Sequence, residues 1–133
     1  MGAIANLTEE GKKITFGNDA VVIRHYGAAI LGGRTLDVTA FAGEGAIKAG
    51  HIIIRDTQTN TYKPLPVSEG AYASLPSNCE YVGVLMATVT TNEPFASIMY
   101  DGEVNDVASP YEVTASIKSA MKTALPKLVF MHD

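Results

Sequence analysis

The stretch that decides the fold reads ASIMYDGEVNDV (residues 96–107), ASPYEVTASIKSAMKTAL (108–125) and PKLVFM (126–131). Its two ends are rich in β-branched and aromatic residues, which favours strands, whereas the middle part spaces its apolar residues as a helix does. The pattern predicts a strand, a turn at Asp101 and Gly102, a short second strand, one helix over about residues 109–125 and a closing strand.

A capping box predicts where that helix begins. Ser109 takes the N-cap, Pro110 the first helical position, and Glu112 lies where its side chain can bond back to the cap amide. Pro126 ends the helix, because proline disfavours helical geometry in the residue before it. The predicted apolar stripe consists of Val113, Ile117, Ala120, Met121 and Ala124.

The rest of the chain is predicted to be mostly strands. Residues 21–26 and 34–41 read as strands, and residues 51–65 as a hairpin whose loop covers 56–60. Residues 81–90 carry apolar side chains on both faces, which indicates a central strand covered on both sides. The predicted fold class is α+β, mainly β: a compact antiparallel β domain, like a small barrel or sandwich, with one C-terminal helix and a closing strand.

The domain organisation is predicted to be simple. Residues 1–13 are polar and form a flexible N-terminal arm, and residues 14–133 form a single β-rich domain. Pro64 places the end of its strand at a sheet edge or outside the sheet, because it has no N–H to donate. Residues 66–80 are the longest irregular connection, which favours a functional or interface role, and Tyr72 and Leu75 are expected to pack it against the body.

Composition excludes several classes of function. The chain has 133 residues and a net charge of −4, with ten basic and fourteen acidic side chains, so it has no field for binding a nucleic acid backbone. It contains no apolar run of membrane-spanning length. Its single cysteine, Cys79, has no partner for an internal disulfide and cannot build a cysteine-based metal site.

No catalytic, cofactor or metal site is predicted. The histidines His25, His51 and His132 have no metal-ligand spacing, and no nucleophile elbow is present. Asp101, Glu103 and Asp106 lie close in sequence, but a turn rich in Gly and Asn is the usual place for solvated acids. The sequence therefore indicates a protein that is not an enzyme.

An ordered series of short segments resembles the tailed-phage head decoration (capsid-stabilising) protein family, to which the phage lambda decoration protein belongs. The resemblance covers about residues 47–131. It is carried by Lys48-Ala49-Gly50 before Ile52–Ile54, Tyr62-Lys63-Pro64, Tyr81-Val82-Gly83-Val84-Leu85, Asp101-Gly102-Glu103-Val104-Asn105, Ile117-Lys118-Ser119-Ala120 and Val129-Phe130.

The resemblance implies a mechanical function. Such proteins form homotrimers at three-fold positions of the expanded shell, where they bind the major capsid protein and stabilise the head. It implies a virion protein on the outer capsid surface, made in the host cytoplasm, with no cofactor, nucleic acid or membrane partner. Two alternatives stay open: the base or adaptor of a phage head fibre or tail, and a small β-rich ligand-binding or enzymatic domain.

Candidate interface residues follow from exposed-apolar and long-loop reasoning. The N-terminal third offers a surface toward the capsid, although an intramolecular core is an equal interpretation for residues 21–23. The long loop offers a surface toward a neighbouring protomer. The candidates are Ile14, Phe16, Val21, Val22, Ile23, Pro64, Leu65, Pro66, Tyr72, Leu75 and Pro76.

Overall fold

The computed structural model describes residues 19–30 and 33–132. A 3-10 helix covers Thr39–Glu44, and one α-helix, α1, covers Ala115–Ala124. The strands are β1 (Ile23–Ala29), β2 (Arg34–Thr35), β3 (Ala46–Ile47), β4 (Ile52–Asp56), β5 (Thr61–Pro64), β6 (Val67–Ser68), β7 (Ala71–Tyr72), β8 (Cys79–Leu85), β9 (Val89–Thr90), β10 (Phe95–Ala96), β11 (Ile98–Val104) and β12 (Leu128–Phe130). The predicted class, α+β and mainly β with antiparallel sheets, is confirmed.

One six-stranded sheet organises these elements. Its strands lie in the order β1-β11-β8-β4-β5, and β12 also pairs with β11. β11 pairs with β1 along one of its edges. The other edge of β11 is divided between two strands: Ile98 and Met99 pair with β8, and residues 102–104 pair with β12. The closing strand runs parallel to β11, because α1 carries the chain back so that Leu128 lies beside Gly102.

The sheet has apolar side chains packed on both faces. On one face, Ile52, Ile54 and Val84 pack with Ile117 and Met121 of α1. On the other, Ile53, Leu85 and Ile98 pack with Leu36 and Phe41 from the segment that precedes β3. The prediction that residues 81–90 contain a central, doubly covered strand is therefore confirmed for β8.

The predicted hairpin is also confirmed. β4 and β5 pair antiparallel, with Asp56 opposite Thr61 at the closed end. The Asp56 carboxylate accepts hydrogen bonds from the backbone N–H groups of Gln58 and Thr59, which fixes the polar turn between the strands. Pro64 is the last residue of β5, the strand at the end of the sheet order, as its missing N–H predicts.

The predicted capping box at Ser109 is wrong. Helix α1 begins at Ala115, and its N-cap is Thr114, whose side chain accepts a hydrogen bond from the N–H of Ile117. Glu112 cannot be helical because its backbone bridges the β6–β7 turn: its N–H donates to Gly70 and its carbonyl accepts from Tyr72. The apolar stripe is correspondingly shorter, with Ile117 and Met121 buried in the helix and Ala120 and Ala124 exposed.

The predicted turn at Asp101 and Gly102 is wrong as well, since both residues lie inside β11. Gly102 has a φ of +150°, and a β-carbon there would lie 2.3 Å from the carbonyl oxygen of His25 on β1. Gly102 therefore allows β1 and β11 to approach closely, and it does not reverse the chain.

The predicted strand over residues 34–41 is shortened to β2, and a 3-10 helix follows. Asp37 accepts hydrogen bonds from the backbone N–H and the hydroxyl of Thr39, a local arrangement that competes with strand pairing. The winding brings Leu36 and Phe41 into one buried cluster, although two-residue alternation assigns them to opposite faces. No helix of the described part of the chain is long and apolar enough to cross a membrane.

Candidate functional site

The three histidines occupy three separate environments. His25 is exposed on β1, His51 is buried after β3, and His132 contacts Asp106 beyond β12. Cys79 is a half-buried free thiol at the start of β8. Within residues 19–30 and 33–132, no group of three or more His, Cys, Asp or Glu side chains is placed to hold a metal ion.

His51 lies at the centre of an aromatic cluster. Its ring meets those of Phe41, Tyr72 and Tyr111 edge-on, with centroids 5.3, 5.1 and 5.6 Å away. Its Nε2 lies 2.9 Å from the carbonyl oxygen of Leu65. Burial lowers the pKa of His51 to about 4, and the hydrogen bond to Leu65 offsets this only in part. The imidazole is therefore neutral at physiological pH and serves packing.

Tyr72 joins that cluster to the sheet. Its hydroxyl accepts a hydrogen bond from the N–H of Ile52 at 3.2 Å and lies 3.4 Å from the Ser109 hydroxyl. Burial raises the pKa of Tyr72, so the phenol stays protonated. The expectation that Tyr72 packs the long loop against the body is confirmed, and Leu75 packs partly buried against the same core.

Asp106 is the centre of a second cluster, which the sequence analysis treated as an ordinary turn acid. Its carboxylate accepts from Lys118 Nζ at 2.5 Å and lies 2.8 Å from His132 Nδ1, and its side chain is 7% exposed. Burial alone would raise the pKa of Asp106, but these two hydrogen bonds outweigh it and lower the pKa below its usual value. The cluster ties α1 and the C-terminal end to the segment after β11.

Asp19 is held in place by a third set of contacts. The Asp19 carboxylate accepts hydrogen bonds from the N–H of Thr88 at 3.0 Å and from its hydroxyl at 2.6 Å. The same hydroxyl accepts from the N–H of Ala49 at 3.1 Å. Val22 follows directly, buried among core side chains, with its carbonyl accepting from Asn105. Asp19 and Val22 are thus held to the body at defined places.

The predicted interface residues divide into three groups. Ile14 and Phe16 lie outside the described residues. Val22, Leu65 and Tyr72 are buried in the chain's own core and Pro64 is also buried, which corrects their assignment to an exposed surface. For residues 21–23 the intramolecular interpretation holds at Val22, while Val21 is 51% exposed and Ile23 partly buried. The predictions that remain concern Val21, Ile23, Pro66, Leu75 and Pro76.

Several large apolar side chains that sequence reasoning missed are exposed. Phe95 and Val107 have the highest exposed fractions, 69% and 71%. Phe95 and the half-exposed Tyr26 line an open groove of about 700 Å³, whose walls also include Ile30 and Met86. A single apolar residue carries no sequence signal of its own exposure, so only the fold could reveal this surface. Arg34, Thr35 and Ser97 also line it, so the groove offers both apolar and polar contacts, without a set of converging acids and bases.

Comparison of the chain with protein-family models, with curated proteins and with solved structures finds no match.

Proposed function

We propose that this protein is a structural component of a phage virion that decorates and stabilises the capsid shell. It acts as a homotrimer at three-fold positions and binds the major capsid protein on the outer surface. The observation that carries the proposal is the set of exposed apolar side chains, led by Phe95 and Val107, on a β-rich body. The resemblance of residues 47–131 to head decoration proteins supports the major capsid protein as the partner.

The buried polar groups of the described chain support a mechanical role. His51, Tyr72 and Asp106 are each hydrogen-bonded to another part of the fold. A protein that bears load between capsid subunits needs cross-links of this kind, because local opening of a loosely held element would release the load.

The fixed attachment at Asp19 supports the proposed role of the N-terminal arm. Residues 1–13 add an extended strand to an exposed sheet edge of a capsid subunit, where main-chain hydrogen bonds supply affinity with little demand on sequence. The bonds between Asp19 and Thr88 pass tension from the arm to the connection between β8 and β9. Three arms on one trimer raise the effective concentration at the shell, so weak single contacts give firm attachment.

The test is a measured mass of the protein in solution together with co-sedimentation on expanded heads, for the full chain and for a chain lacking residues 1–13. The full chain is expected to be trimeric and to sediment with heads. The shortened chain is expected to remain trimeric and to lose head binding. A full chain that is monomeric and never binds heads would refute the proposal, and labelled virions imaged with the protein only at a fibre or tail would favour the fibre-base alternative.

A further inference from the structure

A basic surface lies along helix α1 and β12. We define it by Lys122, Lys127, Val129, Phe130 and Met131. Lys122, Val129 and Phe130 line a groove of about 220 Å³. Lys122 and Lys127 are exposed, and neither forms an ion pair with another described residue. Val129 and Met131 are 44% and 40% exposed, so apolar and positive groups share this surface.

An acidic surface lies beside it. We define it by Glu44, Glu69, Val107, Tyr111 and Glu112. A hydrogen bond joins the segments that carry Glu69 and Glu112, because the N–H of Glu112 donates to the carbonyl of Gly70, the neighbour of Glu69. Burial, and to a lesser extent the charge of Glu44, raises the pKa of Tyr111, which places Glu44 close to that ring. The three glutamates are exposed and form no ion pair within the described chain, and Val107 adds an exposed apolar group.

The two surfaces meet at one corner of the molecule. Lys118 lines the groove of the basic surface and also the depression that contains Val107, Tyr111 and Glu112. Lys118 is itself bound to Asp106, so it separates the two surfaces without neutralising either. Among the residues that define them, each surface therefore presents charge of one sign that forms no ion pair within the described chain, next to exposed apolar side chains.

We propose that the acidic surface of one copy binds the basic surface of the next copy, an inference that rests on the proposed trimer. A contact between two different patches of the same chain is heterologous, and it closes into a ring when the rotation between copies fits. In a small ring the two contact surfaces of each copy lie close together near the symmetry axis. The acidic and basic surfaces meet this condition, because Lys118 borders both. A second copy fits better than a foreign partner because each surface carries the charge that the other lacks, and charge complementarity sets register.

The test compares three variants by sedimentation equilibrium. Lys122→Glu with Lys127→Glu, and separately Glu69→Lys with Glu112→Lys, place like charges across the contact. Each pair is expected to raise the concentration at half-assembly by roughly tenfold or more. The variant that carries all four substitutions keeps the wild-type net charge and restores opposite charges across the contact, so it is expected to assemble again. Far-ultraviolet circular dichroism verifies that each chain is folded.

Two controls keep the result interpretable. Glu93→Lys reverses an exposed glutamate in a turn outside both surfaces, and it is expected to leave assembly unchanged. Should a double reversal fail to fold, Lys122→Gln with Lys127→Gln removes the charge without repulsion and is expected to weaken assembly, with less effect of added salt than in the wild type.

The outcomes separate this inference from the proposed function. A wild-type trimer that binds heads but is unaffected by both double reversals, or a four-fold variant that fails to reassemble, overturns the inference and leaves the proposed function standing. A wild-type chain that is monomeric and binds no heads overturns both. A dimer that follows the charge pattern supports the paired surfaces and refutes the trimer.

Discussion

The ring of His51 meets the ring of Tyr72 edge-on, at an interplanar angle of 89° and a centroid separation of 5.1 Å. The contact joins the start of β4 to the loop between β5 and β8, which contains the short β6–β7 pair. Because both rings are buried, their protonation states are part of the fold's stability.

The free energy of unfolding is predicted to fall as the solution is acidified from about pH 6.5 to about pH 4. His51 has a pKa of about 4 when folded and an ordinary value near 6.5 when unfolded, so the unfolded chain binds more protons in this window. The stabilisation is present above pH 6.5 and is lost as pH falls, by about 3 kcal/mol in total. Urea unfolding at a series of pH values measures this loss in the free energy of unfolding.

The matched variants for this prediction are His51→Gln and His25→Gln. The first removes the titrating group and is expected to flatten the slope between pH 6.5 and 4, at some cost in stability at pH 7. The second replaces an exposed histidine and is expected to keep the slope. A slope that persists in His51→Gln would show that another group causes it.

The N-cap of α1 gives a second prediction. Thr114→Ala removes the hydroxyl that accepts from the N–H of Ile117 and is expected to lower the free energy of unfolding by about 1 kcal/mol. Ser109→Ala removes a contact of 3.4 Å to the Tyr72 hydroxyl, which is long for two hydroxyl groups and caps no helix, and is expected to cost less than about 0.5 kcal/mol. Chemical denaturation measures the free energy of unfolding of both variants. A larger loss in Ser109→Ala than in Thr114→Ala would indicate that Ser109 is the N-cap.

Asp106 gives a third prediction. Asp106→Asn keeps the shape but removes the charge that Lys118 and His132 share, and it is expected to cost about 1–2 kcal/mol at pH 7, because both partners are half exposed and screened by solvent. The pKa of Asp106 is lowered by folding, so its stabilisation is present above its ordinary value of 3.8 and is lost as pH falls below that value. This window lies below that of His51.

A double-mutant cycle with Lys118→Met isolates the pair. The coupling energy is expected to be favourable by at least about 0.5 kcal/mol, since the two residues are in contact. Asp101→Asn, on β11, serves as the control carboxylate and is expected to show no coupling with Lys118→Met. Equal coupling energies of Asp106 and Asp101 with Lys118 would mean that the effect arises from the overall charge of the chain and not from the contact.

Sequence patterns predicted the parts of the fold that are determined locally. The β4–β5 hairpin follows from its polar turn, where Asp56 bonds two backbone groups, and β8 follows from its apolar composition. The start of α1 did not follow, because the pairing of Glu112 with Gly70 depends on a segment distant in sequence. The long-range bridge at Glu112 therefore overrides the local capping signal at Ser109.

The candidate site was predictable only in outline. The packing role of Tyr72 followed from its position in the long loop, and the structure bears it out. The cluster at Asp106 had no local signal, because His132 reaches it only after β12 has paired parallel to β11. Exposure of Phe95 likewise depends on the pairing of β10 with β2, which is distant in sequence.

The exposed surface at Phe95 gives the last prediction, which addresses shell binding directly. Phe95→Ser removes a large apolar group that is 69% exposed, so the free energy of unfolding is expected to change by less than about 0.5 kcal/mol. If this surface contacts the capsid, the affinity for expanded heads is expected to fall at least roughly tenfold, as for a buried aromatic anchor. Ala87→Ser, another exposed position, is the control for a harmless surface change. Co-sedimentation over a range of head concentrations measures both variants, and wild-type binding by a stable Phe95→Ser protein would remove this surface from the capsid interface.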